Sequence, residues 1–464
     1  PPLGLTAQQT GARRREMKEL ELKVAHPGPI SKKYLDKTRR FESPGDCSFS
    51  LSDETVVEER GEGAVITDPD GNEFLDFMAG FGACNTGHCH PKVVAAIREQ
   101  AGKLLHIMGA VNPVHSELAE LITEVTPGSF RKRVQLGNSG AEAVEVALKV
   151  AKYWKRRSEI ICFHGAFHGR SYGALSLMAK KSNREGLYPM LPGVVSAPYA
   201  YCYRCSFGLE YPGCGLQCAK YVEYLVKGAA TFVTEPAAII LEPIQGNGGI
   251  VVPPDEFMPE LRRICTENEV LLIDDEVMSG WCRTGKTFAV DHWGVEPDIL
   301  VVAKGIASGL PLSAAVARAE VFEGWPLAKD GSTFSGNPVS CAAALATIGV
   351  YREERLAERA EEMGAYFMEG LRILAKEHEI IGEVRGKGLM VGVELVKDRE
   401  TKEPLVVGRK ATDSALRKGL LIYAGGYDGN VLGFLPPLVI QKEHVDRALG
   451  ILDEVLGELD KGGR

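Results

Sequence analysis

The clearest pattern along the chain is a series of short runs that are apolar on both faces and alternate with stretches of helical periodicity. The runs lie at 132–136, 159–163, 237–243, 270–276, 298–304 and 313–317. Such runs, with helices between them, are typical of a mostly parallel sheet that is covered on both sides. We therefore predict an α/β domain over residues 80–335. Two further helices are predicted at 91–104 and 114–125, near the start of that domain.

The two flanking segments have a different pattern. Residues 1–60 are polar and proline-containing, and residues 61–78 predict a β-hairpin around the Asp68-Pro-Asp-Gly turn. After the large domain, the pattern predicts a helical stretch, two apolar segments and a last helix, at 341–378, 388–396, 419–423 and 442–459. We expect residues 1–79 and 336–464 to build a second, smaller α+β domain.

Composition and charge exclude several classes of protein. The chain has 464 residues and a formal charge of −8, which argues against nucleic acid or an anionic membrane as a partner. No uncharged apolar run reaches the length of a membrane span, and the first residues lack a signal-like apolar core. Eleven scattered cysteines fit a reducing compartment, so we expect a cytoplasmic enzyme.

One lysine, Lys304, lies at the end of the apolar run 298–304. A buried strand gains nothing from an ammonium group, because burial of an unpaired charge is costly and lowers the pKa of a lysine. A lysine that can become neutral near pH 7 is a nucleophile toward aldehydes and ketones. The alternative is a strand whose last residue simply reaches solvent, and only the rest of the chain can decide between the two.

Two other motifs end apolar runs. Gly137-Asn-Ser-Gly-Ala leads into an amphipathic helix, and a helix start with bare amides at Ser139, Gly140 and Ala141 attracts phosphate. Asp275 ends the run 270–276, and ligands in open α/β sheets lie beyond this edge. A metal site is the competing interpretation of these acids, but no paired histidine motif accompanies them, so we predict no metal in the reaction centre.

A buried lysine, an aspartate at the same sheet edge and a phosphate-binding helix start are what pyridoxal 5′-phosphate needs. Beyond these, the chain resembles the class III aminotransferases of the fold type I pyridoxal-phosphate enzymes from about residue 60 to 460. The resemblance rests on ordered motifs: NSGAEAVEVALK, FHGAFHGRSYGALS, LEPIQGNGGI, LLIDDEVMSGWCRTG, PDILVVAKG, GSTFSGNPVSCAAA and RGKGLMVGVEL.

The resemblance implies a role for each matched residue. Lys304 would be the Schiff-base lysine and proton carrier, and Asp275 would pair with the pyridine nitrogen. Val277 and Phe167 would cover the two ring faces, and we expect His168 to help position the cofactor. The remaining cofactor contacts would be Ser139, Gly140 and Ala141 at the phosphate, with Thr333 contributed by a neighbouring subunit. A homodimer, or a higher homo-oligomer with its active sites at subunit interfaces, is therefore expected.

Departures from the family pattern bear on the substrate. Relatives that use glutamate and 2-oxoglutarate resemble one another in an arginine and a glutamate, whose places are taken here by Gly433 and Asn247. Amine:pyruvate relatives often have an arginine where we find Tyr423. Arg170 is then the remaining candidate for a carboxylate contact, and a structural ion pair is its alternative role. The predicted substrate pocket consists of Phe81, Met108, Arg170, Asn247, Tyr423 and Gly433.

The expected reaction is transfer of an amino group from a primary amine or ω-amino acid to pyruvate, by a ping-pong mechanism through pyridoxamine phosphate. The alternatives are a racemase or aminomutase on the same fold, or an aminotransferase for 4-aminobutyrate or ornithine with 2-oxoglutarate. A binding protein with a vestigial site is a further alternative, which the intact site motifs disfavour.

A cysteine-rich insertion is predicted at 200–220. Its four thiols, at Cys202, Cys205, Cys214 and Cys218, are spaced in a way that suits a structural metal, two disulfides or free thiols. All three possibilities remain open from the sequence, and in each case the insertion lies apart from the reaction centre.

Overall fold

The computed structural model describes residues 22–45 and 55–462. The helices are α1 Pro29–Phe41, α2 Ala79–Gly82, α3 Pro91–Ala101, α4 Pro113–Val125, α5 Gly140–Lys155, α6 Tyr172–Ser176, α7 Lys181–Arg184, α8 Gln217–Lys227, α9 Phe257–Glu267, α10 Ala319–Phe322, α11 Pro338–Glu353, α12 Leu356–Glu377, α13 Gly408–Arg417 and α14 Lys442–Gly462. The strands are β1 Arg60–Glu62, β2 Val65–Thr67, β3 Glu73–Asp76, β4 Lys132–Gly137, β5 Glu159–Phe163, β6 Val194–Ala197, β7 Pro236–Leu241, β8 Leu271–Asp275, β9 Ile299–Val302, β10 Ser313–Arg318, β11 Ile381–Lys387, β12 Met390–Leu395, β13 Leu420–Leu421, β14 Tyr423–Gly425 and β15 Val431–Phe434.

The central sheet has seven strands in the order β4-β10-β9-β8-β7-β5-β6. Neighbours from β9 to β6 are parallel, and β10 is antiparallel to both β9 and β4. Every residue of β7, β8 and β9 is buried, as expected for strands covered on both faces. The predicted mostly parallel α/β sheet is confirmed, and β6 is a strand that the sequence pattern did not predict.

Helix α5 covers one face of this sheet and shows why its sequence is helical. Ser139 caps its start by accepting the backbone N–H of Glu142 at 3.2 Å. The apolar positions that pack on the sheet recur at helical spacing, at Val144, Ala147, Leu148 and Ala151. The helix ends at Arg156, which adopts the left-handed conformation with φ 56°.

There are two smaller sheets, and one of them joins N- and C-terminal segments of the chain. The predicted hairpin is present as β2 and β3, and Gly71 in its turn has φ 84°. Strand β13, far along the chain, pairs in parallel with β3. A second sheet has the order β11-β12-β15-β14. This pairing of N- and C-terminal segments is consistent with the predicted smaller domain, whose boundaries at 79/80 and 335/336 stay predictions.

Several predicted elements differ in detail. The single helical stretch at 341–378 is two helices, α11 and α12, because Arg355 between them is left-handed with φ 51°. The apolar segment 419–423 divides between β13 and β14, which belong to different sheets. The polar arm predicted over residues 1–60 falls partly outside the described residues, and α1 lies within its described part. In the part of the chain that the structure describes, no helix is long and apolar enough to cross a membrane.

Candidate active site

A cavity of about 370 Å³ lies beyond the carboxyl ends of β7, β8 and β9. Eight of the nine predicted cofactor residues line it: Ser139, Gly140, Ala141, Phe167, His168, Asp275, Val277 and Lys304. Parallel strands end at the same edge of a sheet, so residues that are distant in sequence converge there. Thr333, the ninth, is exposed and does not line the cavity.

Lys304 follows the last residues of β9 and begins a short 3₁₀ turn. Its φ of 45° is left-handed, a conformation that costs a non-glycine residue of the order of 1 kcal/mol. Burial lowers the pKa of Lys304 to about 8, against the opposing attraction of the Glu242 and Asp275 carboxylates. About one Lys304 side chain in ten is therefore neutral at pH 7, far more than for an ordinary lysine.

Asp275 and His168 form a buried pair at the floor of the cavity. His168 Nδ1 lies 2.6 Å from Asp275 Oδ2, and Oδ1 accepts the backbone N–H of Val277 at 3.0 Å. Burial alone would lower the pKa of His168, but the hydrogen bond and the charge of Asp275 outweigh it, so the pKa is raised. His168 Nε2 is buried and has no hydrogen-bond partner in the part of the chain that the structure describes. The two hydrogen bonds fix the position of the Asp275 carboxylate in the cavity.

Glu242 is a cavity residue that the sequence reasoning missed. It follows β7 directly, and its two carboxylate oxygens accept the backbone N–H groups of Phe167 at 2.8 Å and Gly246 at 2.9 Å. Burial raises the pKa of Glu242 to about 7, and repulsion from Asp275 adds to the effect. The signal was available, because an acid at the end of an all-apolar strand is also what identified Asp275.

The start of α5 forms another side of the cavity. The backbone N–H groups of Gly140 and Ala141 lie in the first turn, where they have no partner within the helix. A Cβ added at Gly140 would lie 2.9 Å from Cγ1 of Val277, so the helix start approaches the end of β8 too closely for any side chain. This arrangement leaves bare amides facing the space next to Val277, as an anion site requires.

Three of the six predicted substrate residues pack together beside the cavity. The rings of Phe81 and Tyr423 meet edge to face with centroids 5.3 Å apart, and Tyr423 lies opposite Gly433 in the β14–β15 pair. The carbonyl of Asn247, in the neighbouring loop, accepts the backbone N–H of Gly426 at 3.0 Å. None of these four lines the cavity itself.

The other two predicted substrate residues lie at the surface of the chain. Met108 is 74% exposed. Arg170 is also exposed and makes no hydrogen bond or ion pair with a described residue, so the structural ion pair considered as its alternative role is not seen among residues 22–45 and 55–462. Substrate roles for both residues stay predictions.

The cysteine-rich segment forms a site of its own. All four thiols line a separate cavity of about 20 Å³, and all four are free. Burial and mutual repulsion raise the pKa of Cys202 and of Cys218 to about 11 each. Across the described ranges, no group of three or more His, Cys, Asp or Glu side chains is arranged to hold a metal ion. The four thiols are therefore neither paired nor placed as ligands of one ion in this structure.

The family model for class III aminotransferases matches residues 50–456. The chain belongs to the class III aminotransferase family. It is 40% identical over 412 residues to the leucine/methionine racemase of Thermococcus litoralis, covering 88% of this chain and 92% of the racemase. It is also 40% identical over 407 residues to the acetylornithine aminotransferase of Caldanaerobacter subterraneus, covering 86% and 94%.

Solved structures agree with this assignment. An (S)-enantioselective omega-transaminase from Thermomicrobium roseum superposes with a TM-score of 0.85 at 32% identity, covering 92% of this chain and 98% of the transaminase. The predicted family and the predicted fold type I architecture are both confirmed. The relatives of this member of the class III aminotransferase family thus include racemases as well as transaminases.

Class III aminotransferases use pyridoxal 5′-phosphate, and the cavity residues fit it. Bare amides at Gly140 and Ala141 suit a phosphate, and the carboxylate of Asp275 suits a protonated ring nitrogen. Phe167 and Val277 offer apolar surface for the ring, and Lys304 offers a partly neutral amine for the aldehyde. The predicted cofactor is therefore that of the family.

Proposed function

We propose that this chain transfers an amino group from a primary amine or ω-amino acid to a keto acid, with pyruvate as the acceptor. The single observation that carries the proposal is the composition of the cavity wall. Lys304 and His168 are the only basic residues that line it, so no described arginine is available there to pair with a dicarboxylic substrate. Loss of a bidentate arginine contact disfavours glutamate and 2-oxoglutarate by a few kcal/mol.

Each cavity residue has a role in this reaction. Lys304 holds the cofactor covalently at rest, and its Nζ moves the proton from the substrate carbon that bears the nitrogen. Asp275, fixed by His168, stabilises the proton on the ring nitrogen, while Gly140 and Ala141 bind the phosphate. When bound, pyridoxal phosphate supplies the aldehyde that accepts the amino group and an electron-withdrawing ring.

The hydrogen bonds within the cavity favour transfer over racemisation. Four ionisable side chains line it: His168, Glu242, Asp275 and Lys304. Asp275 and His168 bind each other, and both oxygens of Glu242 accept backbone N–H groups. Among the described residues, Lys304 is thus the one ionisable lining side chain that makes no hydrogen bond at all. Inversion of a carbon centre is best served by an acid and a base on opposite faces, and a single mobile base supports proton transfer on one face.

A second candidate is racemisation of an amino acid, which the close racemase relatives favour. The leucine/methionine racemase is 40% identical to this chain, and the alanine/serine racemase of Pyrococcus horikoshii is 39% identical over 445 residues. A racemase returns its cofactor as the aldehyde and needs no keto acid. Amino transfer leaves the cofactor as pyridoxamine phosphate until a keto acid arrives.

A panel of amine donors, each measured with pyruvate and with 2-oxoglutarate, tests the proposal. We expect turnover with pyruvate and at least tenfold lower kcat/KM with 2-oxoglutarate. Equal efficiency with both acceptors would contradict the proposed substrate class. Turnover of L-leucine or L-methionine to the D-enantiomer in the absence of any keto acid would instead establish the racemase.

We also propose that the active form is at least a homodimer. Apolar side chains are exposed on the 104–111 segment and around Thr333: Leu105, Met108, Val111, Leu327 and Phe334. The rings of His106 and Phe334 lie 5.3 Å apart, so the two segments are neighbours. A second copy that covers these exposed apolar side chains would bring Thr333 to a neighbouring cavity. Sedimentation should give a dimer or larger, and Met108→Glu should weaken it. A wild-type monomer with full activity would contradict the proposal.

A further inference from the structure

We propose that Tyr351 is a positioning residue for Lys304, because its hydroxyl holds the backbone turn that keeps the lysine in the cavity. Tyr351 belongs to α11 and does not line the cavity, so it acts through the backbone and not on the cofactor or the substrate. The inference rests on the role proposed for Lys304 and goes beyond it. It is the same whether the reaction is amino transfer or racemisation.

The turn after β9 has an unfavourable backbone conformation at two residues. Lys304 and Ser308 are both left-handed, with φ of 45° and 44°. Neither is a glycine, and such conformations persist only where neighbouring groups fix them. The turn itself contributes little, since the hydrogen bond from the Ala307 N–H to the Lys304 carbonyl is long, at 3.4 Å. Contacts from other elements must therefore hold the turn in place.

Tyr351 makes a hydrogen bond to the residue next to the lysine. Its hydroxyl donates to the carbonyl of Gly305 at 2.5 Å. Burial raises the pKa of Tyr351 well above its ordinary value, so the phenol keeps the proton that it donates. The ring is fixed as well, because it is buried and stacks on Trp281 with an angle of 16° between the planes and centroids 6.2 Å apart. A fixed donor therefore faces the peptide that follows Lys304.

Asn85 lies beside Tyr351 and contacts the same residue. A Cβ added at Gly305 would lie 2.6 Å from Asn85 Nδ2 and 3.1 Å from the Tyr351 hydroxyl. Asn85 is itself fixed, because its Oδ1 accepts from Arg283 at 2.6 Å and its Nδ2 donates to the carbonyl of Trp281 at 3.0 Å. The backbone next to Lys304 thus packs on a rigid surface that only a glycine can approach so closely.

The other end of the turn is anchored separately. Ser308 Oγ accepts the backbone N–H of Thr86 at 3.1 Å, and the hydroxyl oxygens of the two residues lie 2.6 Å apart. Because this anchor does not involve Tyr351, loss of the Tyr351 hydroxyl would release the start of the turn, where Lys304 lies. The buried carbonyl of Gly305 would at the same time lose its donor.

The position of the turn matters to Lys304 because burial is what lowers its pKa to about 8. The main charges that act on this pKa belong to Glu242, Asp275 and Arg283, and the Tyr351 phenol is neutral. Tyr351→Phe keeps the ring and every charge, so a change in the lysine would come from its position. If the turn relaxes and Nζ regains water, the pKa of Lys304 rises toward its ordinary value.

The test compares wild-type protein with Tyr351→Phe. Tyr366→Phe is the matched control, because it also removes a hydroxyl that donates a hydrogen bond, to Asp446, and Tyr366 does not line the cavity. In the full-length protein without cofactor, competitive acetylation of Lys304 is measured across pH. We expect its midpoint to be higher in Tyr351→Phe by at least about half a pH unit, which lowers labelling at pH 7 about threefold. The control should keep the wild-type midpoint.

Hydrogen exchange of the holoenzyme reports on the turn itself. The amides of Ile306 and Ala307, which donate within the turn, should exchange at least about threefold faster in Tyr351→Phe than in wild-type protein or the control. A hydroxyl that only stabilises the fold would lower the melting temperature and leave the Lys304 midpoint unchanged. An unchanged midpoint, or unchanged exchange at these two amides, overturns the inference.

Neither measurement needs turnover, so both remain valid if the proposed amino transfer fails. Where an amine does convert the holoenzyme, Tyr351→Phe should lower the rate at saturating amine at least about threefold, because Lys304 moves the proton. The half-saturating amine concentration should stay within about twofold of wild type, since the contacts that bind the amine are kept. A change confined to the half-saturating concentration would contradict a positioning role.

Discussion

The pKa of Lys304 can be shifted by a change at Glu242. Burial sets the pKa of the lysine at about 8, compared with an ordinary 10.5, and the Glu242 carboxylate is the first of the charges that oppose the effect of burial. The difference from 10.5 corresponds to about 3 kcal/mol against the charged form. At pH 7 about one Lys304 side chain in ten would be neutral, compared with roughly one in 3,000 for an ordinary lysine.

Glu242→Gln should therefore lower the pKa of Lys304 further. The pKa of Glu242 is itself raised to about 7, so the carboxylate is mostly ionised at pH 8, where Lys304 titrates. Replacement by the neutral amide removes this attraction for the ammonium group, and the fraction of neutral lysine at pH 7 should rise. The amide has one oxygen, so it can accept only one of the two backbone N–H groups that Glu242 accepts, from Phe167 and Gly246. Because this loss could also disturb the cavity, cofactor affinity is measured in the same variant.

The assay is competitive labelling of the apo protein with limiting acetic anhydride across pH, read by mass spectrometry. Wild-type Lys304 should reach half of its maximal labelling near pH 8, and Glu242→Gln should reach it at a lower pH. Lys92 is the internal control, because its hydrogen bond to Glu353 raises its pKa above 10.5. A Lys304 midpoint near 10.5, or a midpoint that rises in Glu242→Gln, would refute the electrostatic reasoning.

Three further predictions concern catalysis, the loop that contains Asn247 and Gly249, and packing. Asp275→Asn should lower kcat/KM at least about 100-fold, because a fixed charge at the cofactor ring is lost, and stopped-flow kinetics would measure it. Arg385 donates to the carbonyl of Gly249 at 2.6 Å, so Arg385→Lys should raise KM for the amine more than it lowers kcat. A Cβ at Gly364 in α12 would overlap a backbone carbonyl, so Gly364→Ala should cost about 1–3 kcal/mol in urea unfolding. Gly450→Ala in α14 is the control, because an added Cβ would meet no described atom within 4 Å beyond the helix's own backbone, and it should be neutral or stabilising by about 1 kcal/mol.

The central sheet and most of the cofactor site were predictable from sequence for one physical reason. Strands that are buried on both faces consist of continuous apolar residues in the sequence. Polar residues that end such runs therefore lie at the edge of the sheet. Lys304 and Asp275 are both of this kind, and Ser139 was visible as a helix cap. Glu242 obeys the same rule and could have been found with them.

Other features depend on packing that the sequence does not display. Strand β6 is only four residues long, and half of it is partly buried, so its apolar signal is weak. The contact between the Tyr423 ring and Gly433 depends on the register of β14 and β15, which cannot be predicted from either residue alone. The break at Arg355 has no glycine or proline to mark it.

The arrangement of the cysteine-rich segment was not decidable from spacing. The thiols of Cys202, Cys205, Cys214 and Cys218 line one small cavity, as binding of one metal ion or formation of two disulfides would require. The four thiols are free in the structure. Spacing could not decide this, because disulfide and metal-ligand geometry depend on distances that the sequence does not determine.

The most direct test of amino transfer is a single-turnover measurement on purified holoenzyme. One equivalent of enzyme is mixed with excess pentylamine and no keto acid, then denatured, and its cofactor is separated and quantified. Amino transfer predicts close to one pyridoxamine phosphate per Lys304, and later addition of pyruvate should return the aldehyde and form alanine. Cofactor that stays entirely in the aldehyde form with every amine donor, while an amino acid changes its handedness, would contradict the account.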